Sequence, residues 1–336
     1  MANITFSEGS GLNDSIYGKS QAPIRMMIES KAEAFEEKSI VEKVFMKDES
    51  KNYAEKYTSL TAMDGFKPVG ENGANPIDGM QEGYPKVLEH VRWADSFSIS
   101  REMIEDSKQL DLKKRPDGFI KGFYRTRENF GAALFGAALG RNGSTVFEGK
   151  SFDATTADGL TLFHHAHTSK INATTQSNVF ADAFSADALA AAEEKMQNFM
   201  GDNDNLLNVV PNTIIIPNQY ALKKAVFAAI GADKDPATAN NGFNFLFGRW
   251  NVIVWPYLNK YIATGTAPWI LADLEYNEES GGAILTDRTP LDINSYMDNN
   301  TWANVWAGFS RFTAGFSDWR AFAAGGVTEG DTLISG

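Results

Sequence analysis

Apolar residues recur along this chain with a period that switches between helical and strand spacing, and the switches divide it into elements. In APIRMMIESKAEAFEEKSIVEKVF, the residues Ile24, Met27, Ile28, Phe35, Ile40, Val41, Val44 and Phe45 fall at roughly helical intervals among mixed charges. That spacing predicts an amphipathic helix entered at Pro23, packed either on its own core or, as an arm, on a neighbouring molecule. Residues 1–20 ahead of it are polar and rich in Gly, Ser and Asn, and read as a mobile arm.

The next fifty residues change period. NYAEKYTSLTAM reads as a strand, and DGFKPVGENGANPIDGMQEGYP is dense in Gly, Pro, Asn and Asp, which is turn chemistry. KVLEHVRWADSFSIS then alternates, with Val87, Val91, Trp93, Phe97 and Ile99 on one face and His90, Arg92, Ser96 and Ser98 on the other. One strand of that length is about twice the usual five or six residues. Two such strands around a long loop predict an extended hairpin that cannot bury a face within its own small unit and requires a partner surface. His90, on the polar side, is expected to be solvated or hydrogen-bonded.

FIKGFYRTRENFGAALFGAALG is the longest helix candidate, with Pro116 and Asp117 in its first turn and Gly140 or Gly143 at its end. Phe119, Phe123, Phe130, Leu134 and Ala138 form its apolar stripe; Lys121, Arg125, Arg127 and Glu128 are placed away from it. Gly122, Gly131 and Gly136 lie inside, each unfavourable by about 1 kcal/mol against Ala. They imply close packing or a place to bend. Residues 141–180 read as loop. SADALAAAEEKMQNFMG predicts a helix capped by Ser185 and ended before Gly201, NTIIIP a buried strand, and NQYALKKAVFAAIG a helix from Asn218 to Gly231. WNVIVWPYL, PWILAD and the tail WANVWAGFSRFTAGFSDWRAFAAGG read as strands. There is no internal repeat and no heptad pattern, so the class is α+β.

Composition narrows the function. The 336 residues are 43% hydrophobic and 12% aromatic, enough for a sizeable core. No apolar run approaches the ~18 residues of a membrane span. The N-terminus lacks the basic and apolar regions of a secretory signal. Cysteine is absent, which excludes disulfides and thiolate metal sites and fits a cytosolic origin. A net charge of -12 argues against tight binding to nucleic acid, which needs clustered Lys and Arg.

Catalytic signals are few. LFHHAHTS holds His164, His165 and His167, with Asp153 and Asp158 just upstream. Zinc hydrolases commonly place two histidines four apart on a helix with a glutamate between them. Here the spacings are one, two and three, in a loop without Glu. The three histidines are weak metal candidates, with Asp153 as a further ligand, and the plainer reading is a loop whose imidazoles make hydrogen bonds. No nucleotide, hydrolase or kinase motif is present, and GRNGSTVFEGKS lacks the ending of a phosphate loop. Glu278, Glu279 and Asp287, near Gly281 and Gly282, would bind a cation weakly or form a solvated loop. Lys113, Lys114 and Arg115, followed by Lys121, Arg125 and Arg127, are the one basic concentration, either a charge-balancing flank or a contact for acidic surfaces or DNA phosphates. No cofactor is expected.

The order of these parts resembles the major capsid (head) protein of tailed bacteriophages, and more narrowly the head-subunit family typified by Mu-like phages and prophages. The matching segments are WADSFSISREMIEDS before the long helix, DGLTLFHHAHTS, NTIIIPNQYALKKA, WNVIVWPYL and RFTAGFSDWRAF. The resemblance implies an N-terminal arm at 1–50 and an extended loop at 51–100. It implies a peripheral domain at 101–205 and 306–336 around a spine helix at 117–140, and an axial domain at 206–305. It implies a non-enzymatic protein that self-assembles, as hexamers and pentamers, into an icosahedral head enclosing double-stranded DNA. Expected partners are other copies, a separate scaffold, a portal, decoration proteins and weakly bound DNA, without membrane contact. The chain would be made in the bacterial host cytoplasm and reside in the virion capsid. Phe66, Met80, Trp93 and Phe97 are the expected arm contacts, with Lys113, Lys114, Arg115, Arg125 and Arg127 as further interface residues. Gly131 and Gly136 are expected to soften the spine during shell maturation. Some relatives crosslink loop Lys and Asn residues, but nothing here singles out a pair, Lys67 included. The alternatives are an encapsulin-type nanocompartment shell and a histidine-dependent metalloenzyme.

Overall fold

The computed structural model describes residues 4–8, 18–60, 66, 68–71, 73–75, 77, 79–106, 109–231 and 244–327. In chain order the elements are β1 (Ile4–Glu8), α1 (Gly18–Glu36), α2 (Val41–Val44), β2 (Met46–Glu49), β3 (Ala54–Leu60), β4 (Glu82–Glu89), β5 (Val91–Ile99), α3 (Arg101–Glu105) and α4 (Gln109–Leu139). Then follow β6 (Ser144–Phe147), β7 (Lys150–Asp153), β8 (His167–Thr168), β9 (Thr175–Gln176), β10 (Val179–Phe180), α5 (Ala186–Gln197), β11 (Thr213–Pro217) and α6 (Tyr220–Ile230). The last are β12 (Asn251–Trp255), a 3-10 turn (Pro256–Lys260), β13 (Trp269–Ala272), α7 (Leu274–Ser280), β14 (Ala283–Asp298), β15 (Ala303–Phe316) and β16 (Phe322–Gly325).

Two larger sheets share one core. The first runs β1-β14-β15-β5, with β2 also paired to β14; the second runs β10-β16-β13-β11-β12. The long β14–β15 pair shifts register between Asp287 and Thr289 and again between Thr289 and Asp292. These shifts bracket Pro290, which has no N–H to give a ladder. On the outer edge of β5, the Ser96 amide is taken by the Asp95 carboxylate at 2.8 Å, and Arg115 donates to the Ser98 carbonyl.

Helix α4 ties the sheets together. Every residue from Phe130 to Leu139 is buried, so its last third has no solvent face, whereas Lys114, Arg115, Lys121 and Arg125 before it are exposed. Phe135 meets Phe45, Phe163, Trp255, Phe316 and Phe322, drawing rings from both sheets. A smaller cluster under α1 joins Ile28, Ala32, Phe119, Ile120, Leu291 and Trp306.

Several expectations change. The first helix begins at Gly18, ahead of Pro23, and stops at Glu36. Glu128 of α4 accepts from Ser39 Oγ at 2.6 Å and from the Ile40 and Val41 amides at 2.7 and 3.2 Å, so the chain restarts as α2 on an N-cap supplied from another helix. Helix α4 starts at Gln109, so Pro116 lies inside it and removes one helical hydrogen bond rather than opening the helix. The single strand expected over 86–100 is two strands in different sheets, broken at His90. The His90 amide and Nδ1 both reach the Tyr53 carbonyl, at 3.2 and 2.9 Å. Sheet membership also crosses the expected domain limits: β14, inside 206–305, pairs with β15, while β10 and β16 share the second sheet with β11–β13. The arm reading of residues 1–3 and 9–17 lies outside the described residues.

The spine glycines are packing devices. A Cβ on Gly136 would lie 2.3 Å from Tyr261 Cβ and 2.9 Å from its carbonyl oxygen, and one on Gly131 would lie 2.6 Å from Val41 Cγ2. Around Gly122 there is open space. This corrects the softening role, because a methyl at either buried site would disturb folding itself. Gly136→Ala is expected to lower stability by about 1–3 kcal/mol through overpacking. Gly122→Ala should raise it by up to about 1 kcal/mol. Urea unfolding of the two variants beside the parent chain measures both signs.

Candidate assembly surface

Strands β3 and β4 form a two-stranded ribbon of their own, with Ala54 opposite Glu89 and Leu60 opposite Glu82. Alternation along β4 turns Lys86 and Leu88 inward, His90 is buried just beyond, and Gly83 is buried out of phase with them. Leu88 seats on Gly315 of β15, where any Cβ would come within 2.5 Å of it. The other ties are polar. Lys86 Nζ reaches Asp153 Oδ2 at 2.6 Å and Thr155 Oγ1 at 2.9 Å. Lys170 Nζ donates to the Glu82 and Gly83 carbonyls at 3.2 and 2.9 Å. The Tyr57 hydroxyl joins Asp48 and Thr286, and burial together with Asp48 pushes its ionisation well above the ordinary phenol value. Burial would raise the Asp153 carboxyl, but hydrogen bonds from Lys86 and Thr155 prevail and hold it below its usual value.

Beyond this pinned root the ribbon presents apolar surface to solvent. Phe66 and Ile77 are almost entirely exposed, and Val69, Met80 and Val87 are also exposed. Phe66 and Met80, expected from the sequence as arm contacts, are thus open to solvent. Ile77 and Val69 lie among Gly, Pro and Asn residues in a stretch with no hydrophobic period, so no sequence pattern marks their exposure. Lys67 lies outside the described residues.

Trp93 and Phe97 are placed differently. Trp93 stacks on Phe312 at 5.1 Å and on Phe152 at 6.1 Å, and Phe97 stacks on Trp306 at 5.3 Å. Their main contacts are within this chain because β5 belongs to the first sheet and not to the ribbon. Trp93 also forms part of a groove of about 380 Å³ along α4, floored by Phe119, Phe123 and Phe312 and rimmed by Arg125 and Lys260.

The basic run divides by helical phase. Lys114, Arg115 and Arg125 are exposed, while the Lys113 side chain lies outside the described residues. Arg127 is buried and corrects its assignment to an interface. Its guanidinium grips Asp287 with two hydrogen bonds of 2.9 Å, sits 3.7 Å from Glu42, and lies over the Phe312 ring. The sequence carried a signal for this, since Phe123, Arg127, Phe130 and Leu134 follow at intervals of four, three and four on the apolar stripe. Asp287 is therefore committed to Arg127, and Gly281 is the left-handed cap of α7, at φ 68°.

The histidine loop is a packed knot. His167 is buried, with Nδ1 2.6 Å from Asp158 Oδ2, Nε2 3.3 Å from the Leu162 carbonyl, and its ring stacked on Trp319 at 4.5 Å. His164 accepts the Ala166 amide at Nδ1 and stacks on His165 at 4.5 Å. Burial, then the neighbouring His165 and His167, lower its basicity. Asp153 turns to Lys86 instead of the imidazoles. Among the described residues no group of three His, Asp or Glu side chains is arranged to hold a metal ion.

A family model described as phage capsid protein matches residues 84–325, from within β4 to the end of β16. The capsid structure of cyanophage P-SCSP1u is 10% identical with a TM-score of 0.50, over 86% of this chain and 88% of that one. A phage-related protein from Bordetella bronchiseptica is 14% identical with a TM-score of 0.49, over 90% and 95%. The mature capsid of bacteriophage PhiM1 is 8% identical with a TM-score of 0.49, over 87% of each chain. At these identities the cyanophage likeness establishes the fold alone. No curated protein sequence matches.

The ribbon root carries a pH dependence whose sign is fixed. Because the Asp153 carboxyl is held below its ordinary 3.8, its contribution is complete above that value and is lost as pH falls through the lower, folded one. Hydrogen-exchange protection of the amides in residues 82–89, taken relative to the intrinsic exchange rate at each pH, should therefore fall in acid. In Asp153→Asn the same amides should be less protected at pH 7, and acid should lower their protection less.

Proposed function

Because this chain belongs to the phage capsid protein family, we propose how its parts divide the work of building a head. The chain is a structural protein of the phage head rather than an enzyme, and its copies associate into a multimeric shell. We read it, more narrowly, as a Mu-like major head subunit forming the hexamers and pentamers of an icosahedral shell around double-stranded DNA.

The observation that carries the division is a ribbon pinned at its root and apolar at its tip. A pinned ribbon loses less freedom when it docks, so more of its buried area appears as affinity. On this reading the tip of one copy lies across the α4 groove of the next. The groove offers an aromatic floor and the cations Arg125 and Lys260. The tip offers Phe66 and Ile77 together with the exposed Glu71. The peripheral portion comprises α1, α4 and the first sheet; the axial portion comprises the second sheet with α5, α6 and α7. A separate scaffold, a portal and decoration proteins complete the particle, and synthesis takes place in the host cytoplasm. The net charge of -12 keeps packaged DNA from adhering to the wall, so contact with it is weak and salt-sensitive.

Replacing residues 61–81 with a short Gly-Asn turn should leave the circular dichroism spectrum and melting of the body nearly unchanged while abolishing particles. Light scattering and negative-stain microscopy of the purified chain give the comparison. Particles of normal size from the shortened chain would refute the ribbon's role.

A further inference from the structure

Two helices of the axial portion carry solvent faces of opposite character. On α6, Tyr220, Lys224 and Phe227 follow at intervals of four and three and are all exposed. Asn244 Nδ2 donates to the Ala229 carbonyl at 2.7 Å, which brings Phe245 and Phe247 beside the end of the same helix. The four rings are 80%, 51%, 53% and 48% exposed. Together they present on the order of 400 Å² of apolar surface. That is as large as the main patch of a typical free-standing monomer, and about half of what one partner contributes to a standard interface. On α5, Asp187, Ala191 and Glu194 are exposed at the same four-and-three interval, placing two carboxylates around a small residue.

We propose that the α6 face of one copy docks on the α5 face of a second copy. Lys224 lies between the partner's carboxylates, and the aromatic side chains close over Ala191 and the aliphatic stem of Glu194. The fit is one of charge and size: one face is cationic and bulky, the other anionic and small. Both faces are open to solvent in a single chain, so they do not satisfy each other within it. A contact between two different faces is head-to-tail. Copies joined this way keep adding in one direction until the rotation closes a ring. This contact rests on the shell reading above and assigns the surfaces that would set up its rings.

The cysteine-free chain allows a direct test. Chains carrying Ala191→Cys and Phe227→Cys, purified separately and mixed under mild oxidation, should form the mixed disulfide pair well in excess of either like pair. Lys224→Glu should reduce that yield about tenfold, and adding Asp187→Lys and Glu194→Lys to the Ala191→Cys chain should restore it, as charge complementarity requires. All these side chains are exposed, and unchanged melting curves would show that folding is intact. No excess of the mixed pair, or no restoration by the reversed charges, would overturn the proposal. Shells that form normally from Lys224→Glu would also overturn it, and would leave the aromatic face to a scaffold or decoration protein. A mixed pair from the two cysteine chains, with a parent chain that never forms a particle, would refute the shell reading and leave this contact standing.

Discussion

The last third of α4 has no side facing water, and the rest of the molecule is arranged around that constraint. A helix enclosed on every face must accept neighbours from all directions at once, and some backbone segments can come close to it only where a side chain is missing. Gly136 provides that gap for Tyr261, and Gly131 provides it for Val41. The helix then fixes the chain's charged interior. Arg127 draws in β14 through Asp287, and Glu128, one residue later, supplies the hydrogen bonds on which α2 begins. Two adjacent ionic residues thereby set the positions of the long β14–β15 pair and of α2 relative to one axis.

The ribbon follows the opposite logic. Apart from Leu88, its root is attached through ion pairs and hydrogen bonds, and its tip is exposed apolar surface. Polar ties of this kind hold direction, because their geometry is specific, while contributing less net stability than buried hydrocarbon. The apolar area is kept for another molecule.

What the sequence revealed depended on whether the deciding contact was local. Ser185 was legible as an N-cap, and its hydroxyl accepts from the Ala188 amide. The buried strand TIIIP and the stop at Gly231 were legible for the same reason. The break at His90 was not, because both flanking strands alternate and the pattern runs through it unmarked; only their partners differ. The start of α2 depends on a carboxylate almost ninety residues away. The two sheets were missed as units because each gathers strands from distant stretches, so contiguous segments could not describe them. For the candidate surface, exposure of Phe66 and Met80 was readable from a tip rich in turn residues, whereas Arg127 was misplaced by attending to its charged neighbours instead of its helical phase.

A long strand at the margin of a sheet invites adhesion between molecules, and β5 is such a strand. Its exposed backbone is partly occupied already, by Asp95 on one amide and Arg115 on one carbonyl. Those two side chains act as stoppers. A protein that must accumulate to high concentration before it is built into anything thereby loses one route to fibrous by-products, and orderly construction is left to the surfaces shaped for it.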